Sequence, residues 1–275
     1  MAEGERTPLK GKRIVITRAA AQSEALSKQL SALGAIPLIL PLVAFSEPDD
    51  FTALDKAIAE AERFDWVIFT SGQAVRAVAA RSASLKIPLS RAGNKPAFAA
   101  VGPASAEAVR HAGLPIEYVA KVHNGVALAD ELGEHLRGRK VLLPRSDRAN
   151  PDLPGALKKQ GAQVTEVVAY RTLQPTDVDK HNLGRIVAGE ADAILFFSPS
   201  AVQHFAEIAG AEQLQGLQGR MAITAVGPVT AGALQEAGAE QLVVAADTTA
   251  AAVVQALEQY FARAIRQSAA GVKRG

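Results

Sequence analysis

Short aliphatic runs alternate with Ala-, Leu-, Glu- and Lys-rich stretches along almost the whole chain. The pattern predicts strands at Ile14–Thr17, Trp66–Thr70, Ala97–Val101, Ile116–Val119, Val141–Leu143, Ile194–Phe197, Ile223–Val226 and Gln241–Val244. These runs are apolar rather than alternating, as strands buried on both faces of a parallel sheet are. Ser23–Leu33, Ala53–Ala61, Pro154–Gln160 and Ala231–Ala237 read as amphipathic helices between them. Several such stretches stop at Gly34, Gly113, Gly161 or Gly238, where a left-handed C-cap is easily made. Repeated βα units of this kind predict the α/β class, with crossover helices on both sheet faces.

The pattern also repeats. Gly11-Lys-Arg-Ile-Val-Ile-Thr-Arg18 resembles Gly138-Arg-Lys-Val-Leu-Leu-Pro-Arg145. Leu33-Gly34-Ala35 matches Gln160-Gly161-Ala162, and Phe69–Val75 matches Phe196–Val202, at the same offset. Ala100–Pro103 matches Ala225–Pro228 with that offset slipped by two residues. Four correspondences in one order predict two similar lobes, expected to face each other across a cleft. At ~150 residues per domain the length also fits two. Ile36–Phe45, which holds Pro37 and Pro41, and the alternating Gln163–Thr172 do not read as core strands. They are expected to form an exposed two-stranded ribbon between the lobes. The ends beyond Lys10 and Arg266 are polar or small-residue stretches, expected to be loose.

Composition narrows the function. Lys plus Arg is 30 against 28 for Asp plus Glu, a formal charge of +2. That is too even for a dedicated nucleic-acid binder, although a slight basic surplus suits a polyanionic small molecule. With no cysteine, disulfides, thiolate nucleophiles and thiolate metal sites are excluded, and a reducing, cytoplasmic setting fits. The N-terminus lacks the order of a signal peptide. The apolar run Ala35–Phe45 falls well short of the ~20 residues a membrane span needs, so no membrane association is expected. His111, His123, His135, His181 and His204 are scattered without an i, i+4 pair, so no metal site is expected; His181 and His204 are placed on solvated helix faces. There is no phosphate-binding P-loop, dinucleotide glycine triplet or G-x-S-x-G elbow.

The candidate chemistry lies at the carboxyl ends of the predicted strands, where open α/β sheets bind ligands. Thr17 ends the first strand of its repeat, and Arg18 and Arg145 follow theirs, where a guanidinium either reads carboxylates or closes a surface salt bridge. Thr70-Ser71 and Ser198-Pro199-Ser200 start helices, where hydroxyls cap free amides and the partial positive charge also receives a carboxylate. Gly102-Pro103 and Gly227-Pro228 occupy equivalent turns, with Ser105 and Thr230 supplying hydroxyls nearby. Tight turn geometry alone also explains these glycines. Tyr170 sits on the expected ribbon, where a phenol either donates a proton or is a packed structural side chain. Asp147 and Asp152 near Arg145 have the chemistry for a divalent cation, though turn and capping roles are commoner.

Taken together, these segments resemble the uroporphyrinogen-III synthase family over about Lys12 to Tyr260. The resemblance is carried by Ile16-Thr17-Arg18, Phe69-Thr70-Ser71, Val101-Gly102-Pro103 and Leu143-Pro144-Arg145-Ser146. Val168-Ala169-Tyr170-Arg171-Thr172, Phe197–Val202 and Val226–Ala231 complete it. It implies two parallel-sheet lobes, Rossmann-like or flavodoxin-like, joined by a two-stranded ribbon, with the first βα unit swapped into the lobe built from the last third. The implied boundaries are 1–37 with 173–275, 45–164, and a connector of 38–44 and 165–172. The implied substrate is hydroxymethylbilane, which loses its terminal hydroxyl as water and closes through a spiro intermediate with its last ring inverted. No cofactor is implied. By the resemblance Tyr170 is the candidate acid, and Ser71, Ser198, Ser200, Gly227 and Thr230 map onto substrate contacts. Ala19 replaces a common proline, Ser105 a threonine, and Val229 a frequent hydroxyl residue. A monomer is expected, with transient contact to the preceding enzyme of the pathway. The competing reading is a two-lobed small-anion-binding protein without catalysis.

Overall fold

The apolar runs form strands in the computed structural model, which describes residues 7–90, 96–247 and 249–272, without side chains for 21 and 267–272. The chain opens with β1 (Arg13–Ile16), α1 (Ala20–Ala32), β2 (Ile36–Ile39) and β3 (Ala44–Ser46). It continues with α2 (Thr52–Ala59), β4 (Trp66–Phe69), α3 (Gly72–Leu85), β5 (Ala97–Ala100), α4 (Pro103–His111) and β6 (Ile116–Val119). Then come α5 (Gly125–Leu132), β7 (Lys140–Ser146), α6 (Asp152–Lys159) and β8 (Gln163–Leu173). The last part holds α7 (Lys180–Val187), β9 (Ala193–Phe196), α8 (Pro199–Ala209), α9 (Gln213–Gly216), β10 (Ala222–Val226), α10 (Pro228–Glu236), β11 (Leu242–Ala245) and α11 (Ala250–Val272).

Two compact units result. One is built from the described residues of Met1–Ala44 and Gln174–Gly275, the other from Phe45–Leu173. The first holds a five-stranded sheet of order β11-β10-β9-β1-β2, with every adjacent pair parallel. Here β1, from the start of the chain, lies between β2 and a strand drawn from the last third. Ile14, Ile16, Leu30, Leu195, Val253 and Leu257 form its core on one face. The second holds a six-stranded sheet of order β3-β8-β7-β4-β5-β6. Its two faces carry separate clusters, one around Val67, Phe69, Phe98 and Leu142, the other around Ile68, Leu128, Val141 and Leu143.

Local chemistry accounts for the element ends. Gly34, Gly113, Gly161 and Gly238 take φ of +78°, +73°, +85° and +87°, the left-handed region that closes a helix without Cβ strain. Proline stands in the first turn of α4, α8 and α10, where its missing N–H has no helical partner to lose.

Three expectations need correction. Ile36–Ile39 and Gln163–Leu173 are sheet strands rather than a free ribbon, although β3, at the end of the first segment, does lie beside β8. The amides of Ile36 and Leu40 turn inward to the carbonyls of Lys12 and Ile16, at 2.8 and 3.0 Å. Pro37 therefore points its absent N–H along the open edge, where proline does no harm. β8 runs parallel to β7 from Gln163 to Tyr170, its alternation feeding Val164 to one buried layer and Val167 and Ala169 to the other. The chain thus passes between units at Ala44/Phe45 and Leu173/Gln174. Second, the expected loose ends are partly ordered: Leu9 is fully buried, and α11 continues past Arg266 to Val272. Residues 1–6 and 273–275 lie outside the described residues. Third, His204 is not on a solvated face. It is fully buried, and its Nδ1 donates to the Leu42 carbonyl at 2.6 Å, tying α8 to the segment that leaves the unit. His181 is exposed as expected.

Candidate functional site

In the unit formed by Phe45–Leu173, the carboxyl end of β4 delivers Thr70 and Ser71 to the start of α3. Ser71 caps that helix: its Oγ accepts the Ala74 amide at 3.1 Å. The same oxygen lies 3.2 Å from the phenol oxygen of Tyr170. Tyr170 is buried, its ring packed in the cluster with Val67 and Phe69 and met edge-on by Phe45 at 5.5 Å.

A break in strand register aims this ring. Arg145 pairs with Val168, yet the next residue, Ser146, pairs with Tyr170. Ala169 is the extra residue of a bulge, a device that bends a strand and redirects its side chains. Ala169 and Tyr170, consecutive in sequence, consequently join one buried cluster. Burial pushes the phenol above its ordinary pKa. The Ser71 hydrogen bond opposes this, the Asp147 carboxylate adds to it, and Arg76 and Arg145 reduce it. The group is therefore a neutral donor near pH 7.

Arg76, which sequence reading passed over, belongs to the same edge. One turn along α3, its Nη1 sits 3.3 Å from where a Cβ on Gly72 would be, and Nη2 donates to Gln73. The signal in the sequence was its helical spacing from Gly72. Gly102 begins α4 on the neighbouring strand. Its φ of −160° is extended backbone open to any residue, so turn strain does not explain the glycine. A Cβ there would rest 3.6 Å from the His123 side chain. Ser105, in the first turn of α4, is buried.

Arg145 is placed differently from expectation. It lies inside the seven-residue β7 rather than beyond it and is 7% exposed. Its guanidinium pairs with Glu166 at 2.9 Å and donates to the Asn150 carbonyl. Those contacts engage the fork inside the fold.

In the other unit, the ends of β1, β9 and β10 bring together Arg18, Ser198, Ser200, Gly227 and Thr230. Thr17 is 1% exposed, and its hydroxyl donates to the Leu195 carbonyl at 2.7 Å; it bridges strands instead of facing outward. Arg18 stacks over Phe197, with 4.4 Å from its guanidinium carbon to the ring centre. Ser198 caps α8 and accepts the Ala201 amide at 3.3 Å, with Ser200 half-buried in the first turn. Gly227 has φ +89°, so here, unlike at Gly102, the backbone itself requires glycine. Thr230 is buried.

Among the described residues no three His, Asp or Glu side chains gather as a metal site requires, and no helix is long and apolar enough to cross a membrane. What both units do present is a row of helix starts at the carboxyl ends of parallel strands, capped by a serine at α3 and α8 and opened by glycine at α4 and α10, the kind of position where anions bind. Known proteins share the fold. The family model described as uroporphyrinogen-III synthase HemD matches residues 24–255. A uroporphyrinogen-III synthase of Synechococcus elongatus is 31% identical over 259 residues, covering 92% of this chain and 97% of its own. The crystal structure of a mutant uroporphyrinogen III synthase from Thermus thermophilus superposes with a TM-score of 0.65 at 26% identity, covering 94% of this chain and all of that one. A Helicobacter pylori enzyme of that name, 17% identical, shares the fold with a TM-score of 0.55, covering 91% of this chain and 99% of its own. The chain belongs to the uroporphyrinogen-III synthase family.

Proposed function

We propose that the edge of the six-stranded sheet around Tyr170 and Ser71 is where this enzyme handles the departing hydroxyl of its substrate. As a family member the chain is a cyclising hydro-lyase of haem biosynthesis: it converts hydroxymethylbilane to uroporphyrinogen III, with loss of water and inversion of the last pyrrole ring. The bilane closes unaided to the uninverted isomer, so the protein's task is to select a bent conformation and bring two ends together. Few reactive groups are needed for that.

The observation that carries the assignment is the Tyr170 phenol beside Ser71 Oγ at the start of α3. A phenol held protonated by burial donates to the leaving hydroxyl as its C–O bond breaks, and water departs. The phenolate regains a proton when the carbon that closes the ring releases its own, so the cycle balances. Within each unit the helix starts offer amides for substrate carboxylates, at α3 and α4 beside the Thr70 hydroxyl in one, and at α8 and α10 beside the hydroxyls of Ser198 and Ser200 in the other. Arg18 is retained as a carboxylate contact; Thr17 and Arg145 support the scaffold instead. Ser105, Gly102, Gly227 and Thr230 shape the two turns against the substrate. The chain works as a cytoplasmic monomer in this reading, its cysteine-free composition suiting a reducing compartment.

Incubation with freshly generated hydroxymethylbilane, followed by chromatographic separation of isomers I and III, tests the activity. Isomer III as the main product is expected. Isomer I alone, at the spontaneous rate, refutes it.

A further inference from the structure

We infer that Asp147 is a positioning residue for Tyr170, extending the ladder of β7 by one residue beyond the bulge and so fixing the phenol against Ser71. In a parallel ladder one residue's amide donates to the strand alongside, and its carbonyl accepts from an amide two residues further on. The Asp147 amide does the first, donating to the Tyr170 carbonyl at 3.2 Å. Its side chain replaces its carbonyl in the second: Oδ1 accepts the Thr172 amide at 2.9 Å. Both peptide groups that flank Arg171, the first of them carrying the Tyr170 carbonyl, are thus held by one residue.

The surrounding bonds stiffen this bracket. Ser146 Oγ donates to Asp147 Oδ1 at 2.9 Å and lies 2.7 Å from Thr172 Oγ1. Ser146 Oγ also accepts the Arg148 amide at 3.2 Å, which sets the turn. Arg171 Nε stands 3.8 Å from Asp147 Oδ2, while its Nη1 reaches Asp49 at 2.5 Å. A bulge removes regular pairing where it occurs, and here it falls immediately before the phenol. Without the carboxylate the Thr172 amide loses this acceptor, and the strand just past the bulge is held less firmly, which loosens the ring's aim.

The kinetic consequence rests on Tyr170 acting on substrate as proposed above; the structural one does not. The full chain labelled with 3-fluorotyrosine gives fluorine resonances for its 3 tyrosines, that of Tyr170 being identified by its loss in Tyr170→Phe. Asp147→Ala is expected to move the Tyr170 resonance toward its denatured position. Asp147→Asn, which keeps an acceptor oxygen, leaves it near the wild-type position. Asp147→Glu keeps the charge but carries the acceptor one methylene further; it shifts the resonance in a folded protein, so the question stays decidable if the alanine variant does not fold. An unmoved resonance in Asp147→Ala, or in Asp147→Glu where alanine fails to fold, overturns the positioning role. In turnover, Asp147→Ala loses at least ~10-fold in kcat with KM within about threefold. That loss shrinks to within about twofold in a Tyr170→Phe background, as a shared pathway requires. An equal loss in both backgrounds overturns action through Tyr170. Wild-type turnover by Tyr170→Phe alone refutes the acid assignment, and the resonance then decides the positioning by itself.

Discussion

Replacing Tyr170 with phenylalanine removes one oxygen and leaves the ring. The edge-on contact with Phe45 at 5.5 Å is unaffected, as is the packing against Val67 and Phe69. The bond lost, to Ser71, is a neutral pair at 3.2 Å, in the class that contributes about 0.5–1.5 kcal/mol. Ser71 keeps its Ala74 amide, so no buried group is left wholly unpartnered. The expected shift in melting temperature is therefore small, about 2–4 °C per kcal/mol for a protein of this size. A positioned general acid contributes roughly 10²–10⁴-fold, so kcat is expected to fall by about 10² or more, equivalent to ~2.7 kcal/mol of barrier. Turnover is measured by isomer-resolved chromatography with fresh bilane well below the melting point; stability is measured by calorimetry. A variant that melts with the wild type and turns over within about threefold of it refutes the acid assignment. The phenol also fixes a pH signature. Its folded pKa is raised above the unfolded value near 10, so its contribution to stability is complete below about pH 10 and is lost as pH rises through the folded value. In wild-type enzyme the kcat profile between about pH 6 and 9 carries no step from this group, and a step there that vanishes in Tyr170→Phe contradicts a protonated donor.

Other substitutions separate scaffold from site. Thr224 is fully buried on β10, and its hydroxyl has no partner; Thr224→Val is expected to raise stability by about 1 kcal/mol, read as a higher melting temperature at unchanged kcat. His204→Leu leaves the Leu42 carbonyl without its buried donor and lowers stability by roughly 1–3 kcal/mol, a result checked by urea unfolding. The paired glycines diverge. Gly227→Ala forces φ +89° on a residue with a Cβ and destabilises by about 1 kcal/mol or more. Gly102→Ala meets only ordinary contact with His123 and melts near the wild type, while raising KM where substrate approaches that backbone; an unchanged KM removes Gly102 from the site.

The α/β class and most strands were legible because apolar runs such as Ile223–Val226 are buried in a parallel sheet, and no competing pattern obscures them. β2 and β8 were hidden by cues that are usually reliable. Proline argues against a strand only if its amide faces a neighbour, and which way Pro37 faces is set by the pairing of Ile36 and Leu40 with β1, a tertiary fact. Site residues divide the same way. Ser71, Ser198, Gly102 and Gly227 were legible as candidates because a strand-to-helix turn leaves a mark in a few adjacent letters, and Tyr170 because of the segment it sits in. Arg145 carried the same letters as a ligand reader, but its partner Glu166 lies on an adjacent strand and withdraws it. His204 was misjudged for the matching reason, since its acceptor is Leu42, far away in the chain. Asp147 shows the limit from the other side: a turn aspartate among several becomes specific only when the bulge at Ala169 sets the Tyr170 carbonyl and the Thr172 amide on either side of it. Local grammar locates the helix starts, and long-range pairing decides which side chains near them are engaged by the fold.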